Sequence, residues 1–315
     1  TTVLFVGGLL NLLPEITVIL YLVGFFGIVY GIWKDKSLTF LKNYCCPGFF
    51  LMAILMAVFL FFVKGKLFTH YDNFSHWALV VKVMLQTDRY PNFKDTLIMF
   101  QEYPLGSSTY IYFVAKLIGL SESVQMIAQI YMMLACIIPI FAVSEKNKIA
   151  TTAVMLSAIN FFFVYNIAIT NLLVDTLLPL VGMVGLLYAY LYCKKTNSFG
   201  EIILASFYMI QLIQIKNSGV FFVVLICIWI MINANKSKCF IARIVSVTLP
   251  FISLILWHKH CKYVFASAET SKHAMTLSNF SGIFQQKSPV DIKQICFNVL
   301  EFAFTWKDVW LTFAF

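Results

Sequence analysis

The sequence predicts an all-α fold, a polytopic transmembrane helix bundle of about eight to eleven helices with an interfacial helix in its first outer loop. Three observations predict it. Apolar residues make up 61% of the 315 residues and charged residues 12%, against roughly half and a quarter in soluble domains. So much Phe, Leu, Ile and Val cannot be kept from water in a soluble chain of this size and has to face lipid. The surplus is arranged in runs of spanning length, since a hydrocarbon core of about 30 Å takes roughly 20 residues of helix. The basic residues, whose excess gives a formal net charge of +9, sit in short clusters between those runs. That is the pattern of orientation signals and not of a nucleic-acid-binding patch.

In chain order the runs are Glu15–Trp33, Pro47–Val63, Ser123–Val143, Ile149–Asn166, Leu172–Cys193, Glu201–Ile215, Ser218–Asn233 and Phe240–Trp257. Leu105–Gly119 is shorter and carries Lys116, and residues 1–13 and 295–315 resemble pieces of further helices. Residues 1–315 are read as a single integral membrane domain. The chain starts at Thr1 and stops inside an apolar run at Phe315, so it is expected to be a piece of something longer, and no cleavable signal peptide is evident. The eight cysteines show no metal-type CxxC spacing. Most lie in or beside apolar runs, where a thiol behaves as a small hydrophobe, so neither a disulfide framework nor a zinc site is expected.

Lys34, Lys36 and Lys42 mark a cytoplasmic loop, as do Lys146 with Lys148, Lys194 with Lys195, and Lys236 and Lys238 with Arg243. These agree with one another only if residues 104–144 cross the membrane once. Leu105–Gly119 is then re-entrant or interfacial. Two polar stretches, 64–104 and 258–294, fall on the outer side, and all five histidines (His70, His76, His258, His260 and His273) lie in them. Water-exposed loops hold most polar residues in any case, and titratable groups gathered on one face also mark a site.

The first outer loop is the most informative. From Phe74, apolar residues recur at Trp77, Ala78, Val81, Met84 and Leu85, the spacing of one helix face. Ser75, Lys82, Gln86 and Arg89 take the other face, so the helix is expected to lie flat with Trp77 toward the headgroups, closed by Pro91. Asp72 and Asn73 stand at its N-terminus. A carboxylate there caps a helix, and at the outer mouth of a bundle it also serves as a general base; the two roles are compatible. His76 is a candidate partner of Asp72 or of a phosphate, with an amphipathic anchor as the ordinary alternative. Glu102 and Tyr103 open the cluster Phe100-Gln-Glu-Tyr-Pro-Leu-Gly-Ser-Ser-Thr109 and are candidate substrate contacts. Gly106 to Ser108 expose backbone N–H groups at a helix start, although Pro-Leu-Gly is also plain punctuation.

The string YDNFSHWALVVKVMLQTDRYP, followed by EYPLGSS, resembles the GT-C superfamily of membrane glycosyltransferases. That superfamily includes oligosaccharyltransferases, protein O-mannosyltransferases and aminoarabinose transferases. The resemblance covers roughly residues 50–275, and the string is similar to that of poorly characterised bacterial members of Gram-positive type. It implies inverting transfer of a sugar from a polyprenyl-phosphate carrier, such as undecaprenyl phosphate, to a cell-envelope glycan or lipid-linked acceptor on the outer face. It maps the catalytic Asp of the first outer loop onto Asp72. Many relatives carry two adjacent acidic residues at this point. Asn73 replaces the second, which weakens binding of Mg or Mn through the pair.

Further candidates are Asp175, Lys216, Lys272 and His273. Asp175 starts a long apolar run, where a carboxylate either complements the helix dipole or supports the first-loop Asp. Lys216, at an outer turn, either binds the carrier phosphate or snorkels to headgroups. Lys272 and His273 are further phosphate contacts or solvated loop residues. No HExxH, Walker A, GxSxG or GxGxxG pattern is present. The rival reading is a transporter or flippase of lipid-linked glycans. It expects inverted repeats and polar groups at mid-membrane, whereas the polar groups here gather at one face.

Overall fold

The computed structural model describes residues 1–34, 47–140, 148–164, 169–196, 198–233, 240–265 and 287–305. The described residues are helical, with no strand among them, and fall into two units, residues 1–268 and 269–315. In the first unit the helices are α1 (Thr2–Leu9), α2 (Leu13–Lys34), α3 (Pro47–Val63), α4 (Tyr71–Ser75), α5 (Trp77–Thr87) and α6 (Gly106–Ile118). Then follow α7 (Glu122–Ala135), α8 (Lys148–Val164), α9 (Leu177–Leu191), α10 (Phe199–Ile215), α11 (Gly219–Asn233) and α12 (Phe240–Val264). The second unit holds α13 (Pro289–Thr305). At its start Ser288 and Asp291 exchange side-chain-to-backbone bonds of 3.1 and 3.2 Å, a reciprocal capping box.

Each apolar run expected to span forms a helix, and the boundaries have local causes. Ser121 caps α7 through its hydroxyl, which accepts from the Val124 N–H at 3.2 Å, with Glu122 in the first turn complementing the dipole. Ser198 caps α10 in the same way. Four apolar stretches are long enough to cross a membrane: Leu13–Lys34, Glu122–Ile140, Leu177–Lys194 and Phe240–Val264. In α2 only Leu13 and Thr17 are buried. Its phenylalanines, valines and isoleucines stand bare, which only an apolar surrounding tolerates.

The bundle is built around α10, which packs against α9, α11 and α12 and, near its C-terminus, against α6 and α1. Mid-bundle, Pro250 sits inside α12 and lacks the N–H that would bond the carbonyl four residues back, at Ser246. The buried Ser206 hydroxyl on α10 donates to that carbonyl at 3.1 Å. A defect in one helix is thereby repaired by its neighbour, as an apolar interior requires.

A second cluster caps one end of the bundle. Phe5, Val80, Met84, Tyr90, Tyr112 and Trp257 meet there, drawn from α1, α5, α6, the 88–105 connection and the end of α12. The Trp257 indole N–H donates to the Glu102 carbonyl at 2.9 Å, and the Tyr90 hydroxyl bonds Thr109 at 2.9 Å. The polar stretch starting at His258 therefore does not begin as a loop. Its residues through Val264 are the last turns of α12, held by Trp257 and Tyr90.

Candidate functional site

The helix expected from Phe74 is not continuous. The backbone breaks at His76 (φ −150°, ψ −76°), which ends α4 and starts α5. Trp77 does not face headgroups: it is 4% exposed, with its ring 6.0 Å from that of Tyr103. The buried face of α5 is Trp77, Val80, Val81 and Met84, so the stripe is rotated toward Val80, and Phe74 on α4 is exposed. The turn at His76 lets Trp77 reach the core. A straight helix would have placed Phe74 on the same face.

Asp72 is not the cap. His70 is: its Nδ1 accepts from the Asp72 N–H at 3.2 Å, and Asp72 lies in the first turn of α4. The same Nδ1 lies 3.9 Å from the Asp72 carboxylate. The carboxylate is 43% exposed and has no hydrogen-bond partner among the described residues.

Asn73 does what sequence reasoning missed. It is fully buried; its amide nitrogen donates to Asn171 Oδ1 at 2.6 Å and its oxygen accepts from the Leu172 N–H at 2.9 Å. Asn171 Oδ1 also accepts from the Thr69 and His70 N–H groups, at 3.3 and 3.0 Å. Gln129 on α7 completes the clasp by donating to the Asn171 and Leu173 carbonyls at 3.3 and 3.0 Å. Two segments about a hundred residues apart are thus locked together beside Asp72. Because both atoms of the Asn73 amide are spent, the Asp72–Asn73 pair does not fit a divalent metal. Among the described residues no group of three or more His, Cys, Asp or Glu is placed to hold one.

The clasp brings in the segment that carries Asp175. Residues 171–176 are not helical: α9 begins at Leu177, five residues later than the apolar run. Asp175 therefore stands outside the helix with its carboxylate 68% exposed, 2.5 Å from Lys216 Nζ. Two predicted site residues are brought together, and the Lys216 charge is shared with Asp175, not free for a phosphate.

His76 is fully buried among the rings of Trp77, Phe100 and Tyr103, with centroids at 4.6, 5.8 and 5.3 Å. Burial pushes its pKa down to about 3, so it is neutral and cannot neutralise a phosphate. Tyr103 stacks on Phe100 at 5.0 Å and Glu102 offers its carbonyl to Trp257; both hold the 100–105 turn. Lys272 and His273 lie outside the described residues.

Asn73 and Phe74, the two residues after Asp72, line a cavity of about 490 Å³, within the range of small-ligand sites. Phe68, Gln125, Glu122 and Lys82 also line it. Lys82 has no ion-pair partner among the described residues, and the buried Gln125 carbonyl oxygen has no donor. Its polar position on α5 was visible in the sequence, but not that it faces a cavity.

Gly106 opens α6, and a Cβ there would lie 2.6 Å from the Gln214 carbonyl oxygen. Only glycine allows this contact. Ser107 and Ser108 are buried, so the turn is a packing joint and not an open anion nest. At the other end of α6, Lys116 and Tyr112 bond Asp88 at 2.6 and 2.7 Å. Burial raises the Asp88 carboxyl, but these two bonds and the Lys116 charge outweigh it and hold the pKa below the usual value.

Just beyond α6, Ser123 donates to the Val63 carbonyl at 2.8 Å and Glu122 accepts from the Phe68 N–H. The two ends of α6 thus lie near Gln214, at the end of α10, and Val63, at the end of α3. Compared with known proteins, the chain matches no family model, no curated protein and no solved structure.

Proposed function

We propose that the chain is a multi-pass membrane glycosyltransferase of GT-C type, using a polyprenyl-phosphate sugar on the extracytoplasmic face. The observation that carries this reading is the clasp. It fixes the exposed Asp72 next in sequence to Asn73 and Phe74, which line a mostly apolar cavity together with the cation Lys82 and the carboxylate of Glu122. A polyprenyl phosphate has those two parts, an apolar chain and an anionic head. In this reading α2, α3 and α7 to α12 each cross the membrane, while α1, α4, α5 and α6 stay in the outer layer. The lysine clusters then fall at the opposite ends of the spans, in keeping with the positive-inside rule.

Asp72 takes the proton of the acceptor hydroxyl as its oxygen attacks the anomeric carbon. The bond from that carbon to the phosphate oxygen breaks, and the lipid phosphate leaves with the electron pair. Lys82 stabilises the charge that develops on it, and the Asp175–Lys216 pair holds the neighbouring segment in place. The experiment is transfer of radiolabelled sugar from polyprenyl phosphate in vesicles. Asp72→Asn is expected to lower turnover by about 10²- to 10⁴-fold with normal insertion. Full activity in that variant removes Asp72 from the mechanism. Movement of lipid-linked sugar across the bilayer without transfer favours the transporter.

A further inference from the structure

We propose that a second cleft, at the far end of α5 from Asp72, is a binding site for a neutral saccharide. The cleft holds about 520 Å³. Its walls are rings and side-chain amides: Tyr90, Phe93, His260 and Tyr263, with Asn11 and Asn92 between them.

The walls are preorganised. Tyr90 is buried and hydrogen-bonded through its hydroxyl. His260 stacks on Trp257 at 5.5 Å and 23° and stands edge-on to Tyr90. Asn92 is pinned by its own N–H to Asp95 at 2.8 Å and accepts from the Lys94 N–H at 2.9 Å, which leaves its NH₂ to a ligand. Asn11 sits at φ 56°, a left-handed conformation that Asn tolerates, and its side chain has no partner among the described residues. At the rim Tyr263 is 86% exposed, a large ring held out with nothing against it.

Charge decides the ligand class. The lining carries one permanent charge, Arg89, already bonded to Asp95 at 2.9 Å and to the Tyr90 carbonyl at 2.8 Å. No unpaired cation waits for a phosphate and no unpaired carboxylate for a metal or an amine. What remains is hydrogen-bonding amides and an imidazole beside aromatic faces. A pyranose answers both: its hydroxyl edge meets the amides, and its slightly positive C–H face lies against the negative face of a ring. α5 alone separates the cleft from α4 and Asp72 by roughly 16 Å. The cleft is therefore not the subsite next to the carboxylate, and its ligand-binding chemistry does not depend on the transferase reading.

The test is saturation-transfer NMR on the full chain in phosphatidylglycerol nanodiscs. The probes are lactose, maltose, mannobiose and chitobiose, with phosphocholine as the competing headgroup. At least one disaccharide is expected to receive saturation at its ring C–H protons, reduced at least about fivefold by Tyr263→Ala and by Asn11→Gly, which keeps the left-handed backbone. Asp72→Asn is expected to leave it unchanged, even if that variant has lost transfer. Both cleft residues are exposed, so their removal leaves the fold intact. No saturation of any sugar, or a signal indifferent to Tyr263→Ala, overturns the proposal. So does saturation of phosphocholine alone, which makes the cleft a lipid-headgroup site.

Discussion

Asn73 shows how a single side chain can exclude one chemistry and enforce another. Its amide donates to one partner and accepts from a second while fully buried, which an ionised carboxylate cannot do. Asn73→Asp would restore an acidic pair, yet it would set a carboxylate oxygen against Asn171 Oδ1. We expect that variant to lose about 1–3 kcal/mol of stability and to gain no dependence on Mg or Mn. Unfolding midpoints with and without the ions check both halves. His76 makes a pH prediction. Its folded pKa of about 3 lies below the ordinary 6.5, so between those values the unfolded chain binds the proton more readily. Its contribution is whole above pH 6.5 and is lost progressively as pH falls toward 3. The unfolding midpoint should drop across that window in the wild type and drop less in His76→Phe.

Helices were the legible part of the chain because apolar runs bounded by Ser, Pro and Lys carry their own boundaries. Pro47–Val63 comes out as the helix α3 over the same residues. Where the sequence misled, tertiary contacts had overridden a local pattern. The run from Leu172 yields five residues to the clasp, and the stripe of α5 turns because His76 breaks the helix. The pairing of α10 with α12 yields an element-level prediction. Ser206→Ala should cost about 1–3 kcal/mol, because it leaves the Ser246 carbonyl buried without a donor. In a Pro250→Ala background, where the backbone supplies that donor, the same change should cost far less. A double-mutant cycle on purified protein measures the coupling.

At the scale of the molecule, the candidate site is assembled from contacts that no local reading reveals. Asn73 meets Asn171, and Glu102 meets Trp257 across 155 positions. One sequence carries no record of such pairs, which is why Asp72 was visible as a candidate while the clasp that fixes it was not. The arrangement predicts sidedness. In a cysteine-free background, single cysteines at Tyr71 and Leu120, both exposed, should react with an impermeant maleimide from outside. A cysteine at Lys194 should react only after permeabilisation. Labelling at Tyr71 without Leu120 would mean that α6 crosses the membrane after all.

The bond from Ser206 to the Ser246 carbonyl also constrains the history open to this chain. A lineage that lost the serine while keeping the proline would pass through a destabilised intermediate. One that lost the proline first would not, since the regained N–H takes over the carbonyl and frees the serine to drift. Substitution at these two positions therefore has a favoured order, proline before serine, and the reverse path runs through the less stable intermediate.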